Sequence, residues 1–171
     1  MRLLVVRHAI AEDRVAFAAT GRDDAERPLT DEGRRRMEQG ARGLRQLVPV
    51  LDLVATSPLV RAVQTAEIVA AAYDGPVVER VPVLAAGGDP ESVVQWLRGR
   101  RAGDTVAVVG HEPDCSILVS HLLAGAQDSF VQLKKGSACL LEFADRPAAR
   151  AGVLRWALAP KQLRLIGGGG A

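Results

Sequence analysis

An α/β fold is predicted, a three-layer sandwich with a mostly parallel central sheet and an antiparallel part near the C terminus, and three observations predict it. Short apolar runs alternate with amphipathic stretches along most of the chain. The runs Leu3 to Val6 and Thr105 to Val109 are apolar nearly throughout, as strands buried on both faces should be. The final two runs, Ala138 to Phe143 and Val153 to Leu158, have no helix-length segment between them, so they should pair antiparallel.

Each element has a local cause. The strand Leu3 to Val6 leads into Arg7-His8-Ala9 and then a polar loop, Ala11 to Pro28, that holds Glu12, Asp13, Arg14 and Arg22. Thr30 or Asp31 caps the next helix, in which Met37, Ala41, Leu44 and Leu47 recur at helical spacing until Pro49 stops it. After the strand Leu53 to Thr56, Ser57 supplies a cap oxygen and Pro58 the first helical position, where a missing N–H costs nothing; that helix runs to about Ala72. Val77 and Val78 start a short strand, and Asp89-Pro90-Glu91 opens a helix whose apolar face is Val93, Val94 and Leu97. Beyond the strand Thr105 to Val109, a helix from Pro113 turns Cys115, Leu118, Val119 and Leu122 inward. His121 lies off that stripe and is expected to be partly exposed, with no catalytic part.

The chain has 171 residues, within the range of one domain, and a domain near that length buries roughly 70% of the surface of its unfolded chain. Residues 1–166 are expected to form that domain and 167–171 a flexible glycine-rich tail. The two cysteines, Cys115 and Cys139, have neither a CxxC nor a metal-type spacing and read as buried thiols of a reducing compartment. Met1-Arg2-Leu3 enters the first strand directly, without a leader or a long apolar stretch, so a soluble cytoplasmic protein is expected, with no membrane partner. A net charge of +2 is too mild for nucleic acid binding, and 4% aromatic residues leave little for base stacking. Arg34-Arg35-Arg36, the one basic run, reads as a solvated helix face.

Chemistry gathers at the strand ends. Two of the three histidines follow strands directly: His8 beside Arg7, and His111 in Gly110-His111-Glu112-Pro113. Arg61 stands in the first turn of the helix after the third such strand end. Ligands of open α/β sheets collect outside the carboxyl ends of strands, so one edge of the sheet should bring Arg7, His8, Arg61 and His111 together. Two guanidiniums and two helix starts make an anion pocket there, suited to a phosphoryl group with its near-double charge and three acceptor oxygens. His8, with one ring nitrogen donating to a backbone carbonyl and the other bare, would be the nucleophile; Arg7, Arg61 and His111 would bind the phosphoryl oxygens. The two histidines lack the carboxylates of a metal site and stand among arginines that repel a divalent cation, so neither metal nor other cofactor is expected.

These residues resemble a family. Arg7-His8-Ala9, Arg27-Pro28-Leu29-Thr30 with Gly33, Ser57-Pro58-Leu59-Val60-Arg61-Ala62 with Gln64-Thr65-Ala66, and Val109-Gly110-His111-Glu112-Pro113 are similar, in order and spacing, to the histidine phosphatase superfamily. Lys135-Gly136-Ser137-Ala138 and Trp156-Ala157-Leu158-Ala159-Pro160 extend the likeness toward its small SixA-type phosphohistidine phosphatases, over nearly the full chain. The resemblance implies a phosphoglycerate mutase-like fold, a phosphohistidine intermediate on His8, phosphate contacts from Arg7, Arg61 and His111, and hydrolysis by water. Two departures stand out: Ala9 where most of the superfamily has glycine, and no glutamate near Val83, where larger members carry an acid.

That second departure bears on the substrate, because an alcohol leaving group needs a proton whereas the imidazole of a phosphohistidine departs as a neutral ring. Phosphohistidine on a protein is therefore the favoured substrate, with a histidine-phosphorylated signalling protein as one candidate. A small-metabolite phosphate ester is the alternative, and a phosphate-binding regulatory module without turnover is a more distant one. Glu12, Asp13 and Glu112 stay open as proton donors.

Overall fold

The computed structural model describes residues 1–168. Its six-stranded sheet is assembled from β1 (Arg2–Arg7), β2 (Leu53–Thr56), β3 (Val77–Arg80), β4 (Thr105–Gly110), β5 (Ala138–Glu142) and β6 (Val153–Leu158), in the spatial order β3-β2-β4-β1-β5-β6. β1, β2, β3 and β4 pair in parallel, β5 runs antiparallel to β1, and β6 antiparallel to β5. Helices cover both faces. The expected three-layer fold with its antiparallel C-terminal pair is thus the observed one.

Continuous apolar runs make sense in this setting because each strand feeds two cores at once. Leu3 and Val5 of β1, with Val106 and Val108 of β4, pack against α4 (Pro90–Arg98) and α5 (Asp114–Ala124). Leu4 and Val6, with Ala107 and Val109, pack on the other face against α2 (Asp31–Leu47), α3 (Val60–Ala71) and α6 (Pro160–Ile166). Alternate residues of a strand point to opposite faces, and here neither face is wet. At the start of α2, Thr30 Oγ1 accepts the Gly33 N–H at 2.9 Å as the cap, and Arg35 and Arg36 stand exposed on the solvent side. No helix among the described residues is long and apolar enough to cross a membrane.

Four expectations need correction. The polar stretch 11–28 is not simply a loop: Asp13 caps a short helix, α1 (Arg14–Ala18), by accepting from the Val15 and Ala16 N–H groups, and a 3-10 turn follows at Asp24–Glu26. α3 begins at Val60, two residues later than Ser57-Pro58 suggested, with Leu59 in the cap position and no side-chain cap. His121 is not partly exposed but 6% exposed: α4 lies on one side of it, and Arg150 N–H reaches its carbonyl from the β5–β6 connection. A helix covered from two directions has no free face for periodicity to find. The C-terminal α6 was not anticipated either. Gly167, expected in a flexible tail, donates to Leu163 O at 3.0 Å and packs on α2; residues 169–171 lie outside the described residues.

The α2–α6 contact is tight enough to test. A Cβ at Gly43 would sit 2.1 Å from the Leu163 carbonyl oxygen, a backbone atom that cannot swing aside. Gly43→Ala is expected to cost about 1–3 kcal/mol through overpacking, although alanine favours helix. A urea midpoint equal to that of the unaltered protein would count against this.

Candidate active site

Register places the two strand-end histidines side by side. β1 and β4 are neighbours with Arg7 opposite Gly110, and the His8 N–H donates to Gly110 O at 3.0 Å. The next residues on both strands therefore leave the sheet together, with ring centroids of His8 and His111 5.2 Å apart. β2 ends on the other side of β4, where the Ser57 N–H donates to Val109 O at 3.0 Å. α3 is fastened to this edge through Thr65, whose Oγ1 accepts the Ala9 N–H at 3.1 Å and donates to Arg61 O at 2.7 Å. Gly136, at φ 77°, takes a conformation that a side chain would strain, and its N–H reaches both the Arg7 and His8 carbonyls, at 3.2 and 3.1 Å. All four sequence-predicted site residues, Arg7, His8, Arg61 and His111, line one cleft of about 310 Å³.

His8 is held in one tautomer. Its Nδ1 is 2.7 Å from the Ala9 carbonyl oxygen, which only accepts, so Nδ1 carries the hydrogen and Nε2 keeps a bare lone pair. The ring is 6% exposed, and burial, against the pull of the Ala9 carbonyl, brings its pKa down to about 3; His111, Arg61 and Arg7 push the same way. His111, 3% exposed, is lowered to about 4, by burial first and Arg61 next. Its Nε2 lies 2.7 Å from Ser57 Oγ, which also accepts the Leu59 N–H at 3.3 Å. Ser57 thus serves a histidine, not the helix cap expected of it. With the hydroxyl hydrogen turned to Nε2, the proton of the neutral ring sits on Nδ1, which is buried without a partner.

These depressed values make folding acid-sensitive. Unfolded histidines bind a proton near pH 6.5, whereas the folded rings bind theirs only near 3 and 4. Between those values the unfolded chain holds more protons, so stability rises with pH and is lost as pH falls below about 6.5. Each ring withdraws up to about 1.4 kcal/mol per pH unit in that window. A urea midpoint that does not fall between pH 7 and pH 5 would contradict this.

The cleft wall is cationic: Arg7, Arg14, Arg27, Arg61 and Lys135 line it against the carboxyl groups of Asp24 and Glu112. Arg7 is braced by its Nη1 on Leu133 O at 2.7 Å. Arg61, 6% exposed, puts Nη1 on Asp24 O at 2.8 Å and Nη2 3.2 Å from Asp24 Oδ2. Asp24 Oδ1 takes Arg27 Nε at 2.7 Å, and that contact, with Arg61 nearby, holds the Asp24 carboxyl below its usual pKa. The Nε atoms of both Arg7 and Arg61 are buried with no partner among the described residues. Buried donors left unsatisfied cost about 1–3 kcal/mol each, a cost that an anion's oxygens would remove.

Asp24 and the buried Arg27 carry no candidate role in the sequence reading, although an acid three residues before an arginine, in the run Arg22 to Arg27, was a legible sign of pairing. Gln64 also gains a use: its Oε1 accepts the Leu29 N–H at 2.8 Å and pins the segment that carries Arg27. Among the three open proton donors, Asp13 is occupied as a helix cap, and only Glu112 lines the cleft. Cys115, under Gly110, is fully buried with its thiol pushed well up, so it packs and does not react.

The sequence profile of the histidine phosphatase superfamily (branch 1) matches residues 3–83. A protein of Picosynechococcus sp., described as uncharacterized, is 39% identical over 137 residues, 79% of this chain and 81% of its own. The structure of the protein histidine phosphatase SixA complexed with tungstate superposes with a TM-score of 0.77 at 25% identity, over 95% of this chain and 99% of that one. The chain belongs to the histidine phosphatase superfamily. The alpha-ribazole phosphatase of Shigella flexneri, with a TM-score of 0.67 at 18% identity over 94% and 97% of the two chains, shares the fold. The fold of this phosphatase therefore hosts more than one substrate class, and choice among them has to come from the cleft.

Proposed function

We propose that the phosphatase hydrolyses phosphohistidine on a protein through a covalent phosphoryl intermediate on His8. The observation that carries this reading is the tautomer of His8: a neutral ring, fixed by the Ala9 carbonyl, that keeps Nε2 free in a cleft lined by arginines. Nε2 attacks phosphorus, forming the N–P bond as the bond to the leaving atom breaks. Arg7 and Arg61 take the equatorial oxygens with donors already braced by Leu133 O and Asp24, so little reorganisation accompanies the gain of charge. The His111 Nδ1–H adds a further donor. Water then attacks the phosphorus, and the electron pair of the N–P bond returns to His8. The same cations that hold a phosphoryl group repel a divalent metal, and the chemistry needs none.

Two features support a protein substrate. Arg14 and Lys135 add cations to the cleft beyond Arg7 and Arg61, charge that the surface around a phosphorylated side chain can meet. The 25% identical relative is described as a protein histidine phosphatase. Turnover of a histidine-phosphorylated protein at higher kcat/KM than sugar phosphates, with label trapped by an alkaline quench mapping to His8, is the expected result. The reverse order of kcat/KM would favour a small-ester phosphatase, and the absence of turnover on any aryl phosphate would favour a binding module.

A further inference from the structure

The two carboxyl groups of the cleft have opposite surroundings. Asp24 is paired with Arg27 and Arg61 and held ionised. Among the described residues Glu112 has no such cation pair: its Oε2 accepts from the Ser116 hydroxyl, and its Oε1 is buried with no partner. It follows His111 directly and lines the same cleft as His8 and Arg7. Burial raises its pKa, Asp114 adds to the rise, and Arg7 with the Ser116 hydrogen bonds opposes it without cancelling it. A carboxyl oxygen buried without a donor is costly as an anion and far less so as an acid.

We propose that Glu112 is the proton donor to the leaving atom, so that the cleft also discharges alcohols from phosphate monoesters and is not confined to phosphohistidine. This rests on His8 being the nucleophile. As the His8 Nε2 lone pair forms the N–P bond, the P–O bond breaks, its electron pair stays on the leaving oxygen, and that oxygen takes the Glu112 proton to depart as the alcohol. The Glu112 carboxylate then accepts a proton from the water that attacks phosphorus, the N–P electron pair returns to His8, and both groups regain their starting states. With an acid at position 112, the missing glutamate near Val83 no longer restricts the leaving group.

Leaving-group dependence tests this, because a merely structural role would lower all substrates alike. Glu112→Gln is expected to reduce kcat/KM for phenyl phosphate about 100-fold or more, and for p-nitrophenyl phosphate, whose leaving group needs no proton, at least tenfold less than that. Glu112→Asp, which keeps the acid, should recover part of the phenyl phosphate activity and guards against a misfolded glutamine variant. Equal losses on the two esters, no loss on either, or an aspartate variant no better than glutamine would overturn the assignment. Label trapped on His8 by an alkaline detergent quench, which spares the acid-labile N–P bond, separates the two readings. Its absence in the unaltered protein defeats His8 as nucleophile, whereas its presence together with leaving-group-independent losses defeats Glu112 alone.

Discussion

His8→Ala is expected to abolish turnover and to leave the protein folded. No other group in the cleft offers a neutral nitrogen lone pair in the same position: the His111 Nε2 is engaged by Ser57, and Cys115 is buried with a raised pKa. Loss of a covalent nucleophile removes the pathway itself, so the expected fall in kcat is on the order of 10⁴-fold or more. Stability should change by only about 1 kcal/mol at neutral pH, because the ring's one side-chain hydrogen bond is to its neighbour's carbonyl and its removal exposes no charge. The variant should also resist acid better, having lost a ring that must take up a proton on unfolding. Activity within tenfold of the unaltered protein, with an unchanged melting temperature, would remove His8 from the mechanism.

Arg61→Ala carries the second largest effect. Its guanidinium is buried, braced on both Nη atoms by Asp24, and has an unpartnered Nε, so it is held in place before any phosphoryl group arrives. Charge stabilisation by a preorganised donor acts on the transition state more than on the bound substrate, which puts the loss in kcat at about 10²–10³-fold. Arg61→Lys should recover little, since a lysine cannot span the Asp24 carbonyl and carboxylate while presenting a planar edge to phosphate. A change confined to KM would show that Arg61 binds substrate without assisting the chemical step.

Much of the architecture was legible because strands and helices leave periodic traces. Leu3 to Val6 and Thr105 to Val109 read as strands buried on both faces, and their alternate residues do feed two cores. The cluster of Arg7, His8, Arg61 and His111 was legible through topology, since parallel neighbours end at the same edge of a sheet. His121 was misread for the opposite reason: its burial comes from α4 and from the chain near Arg150, neither of which its own helical period encodes.

The amino-acid order alone determined which chemical groups exist and which strand ends carry them, because those depend on local pattern and on the direction of each strand. Only the tertiary structure decided their states. That Ser57 would turn to His111 instead of a helix end, that Asp24 would brace Arg61, and that one Glu112 oxygen would be buried while Asp13 stayed exposed are consequences of how the chain packs in space. A side chain's charge and tautomer are set by its surroundings in space, and no neighbour in sequence reports them.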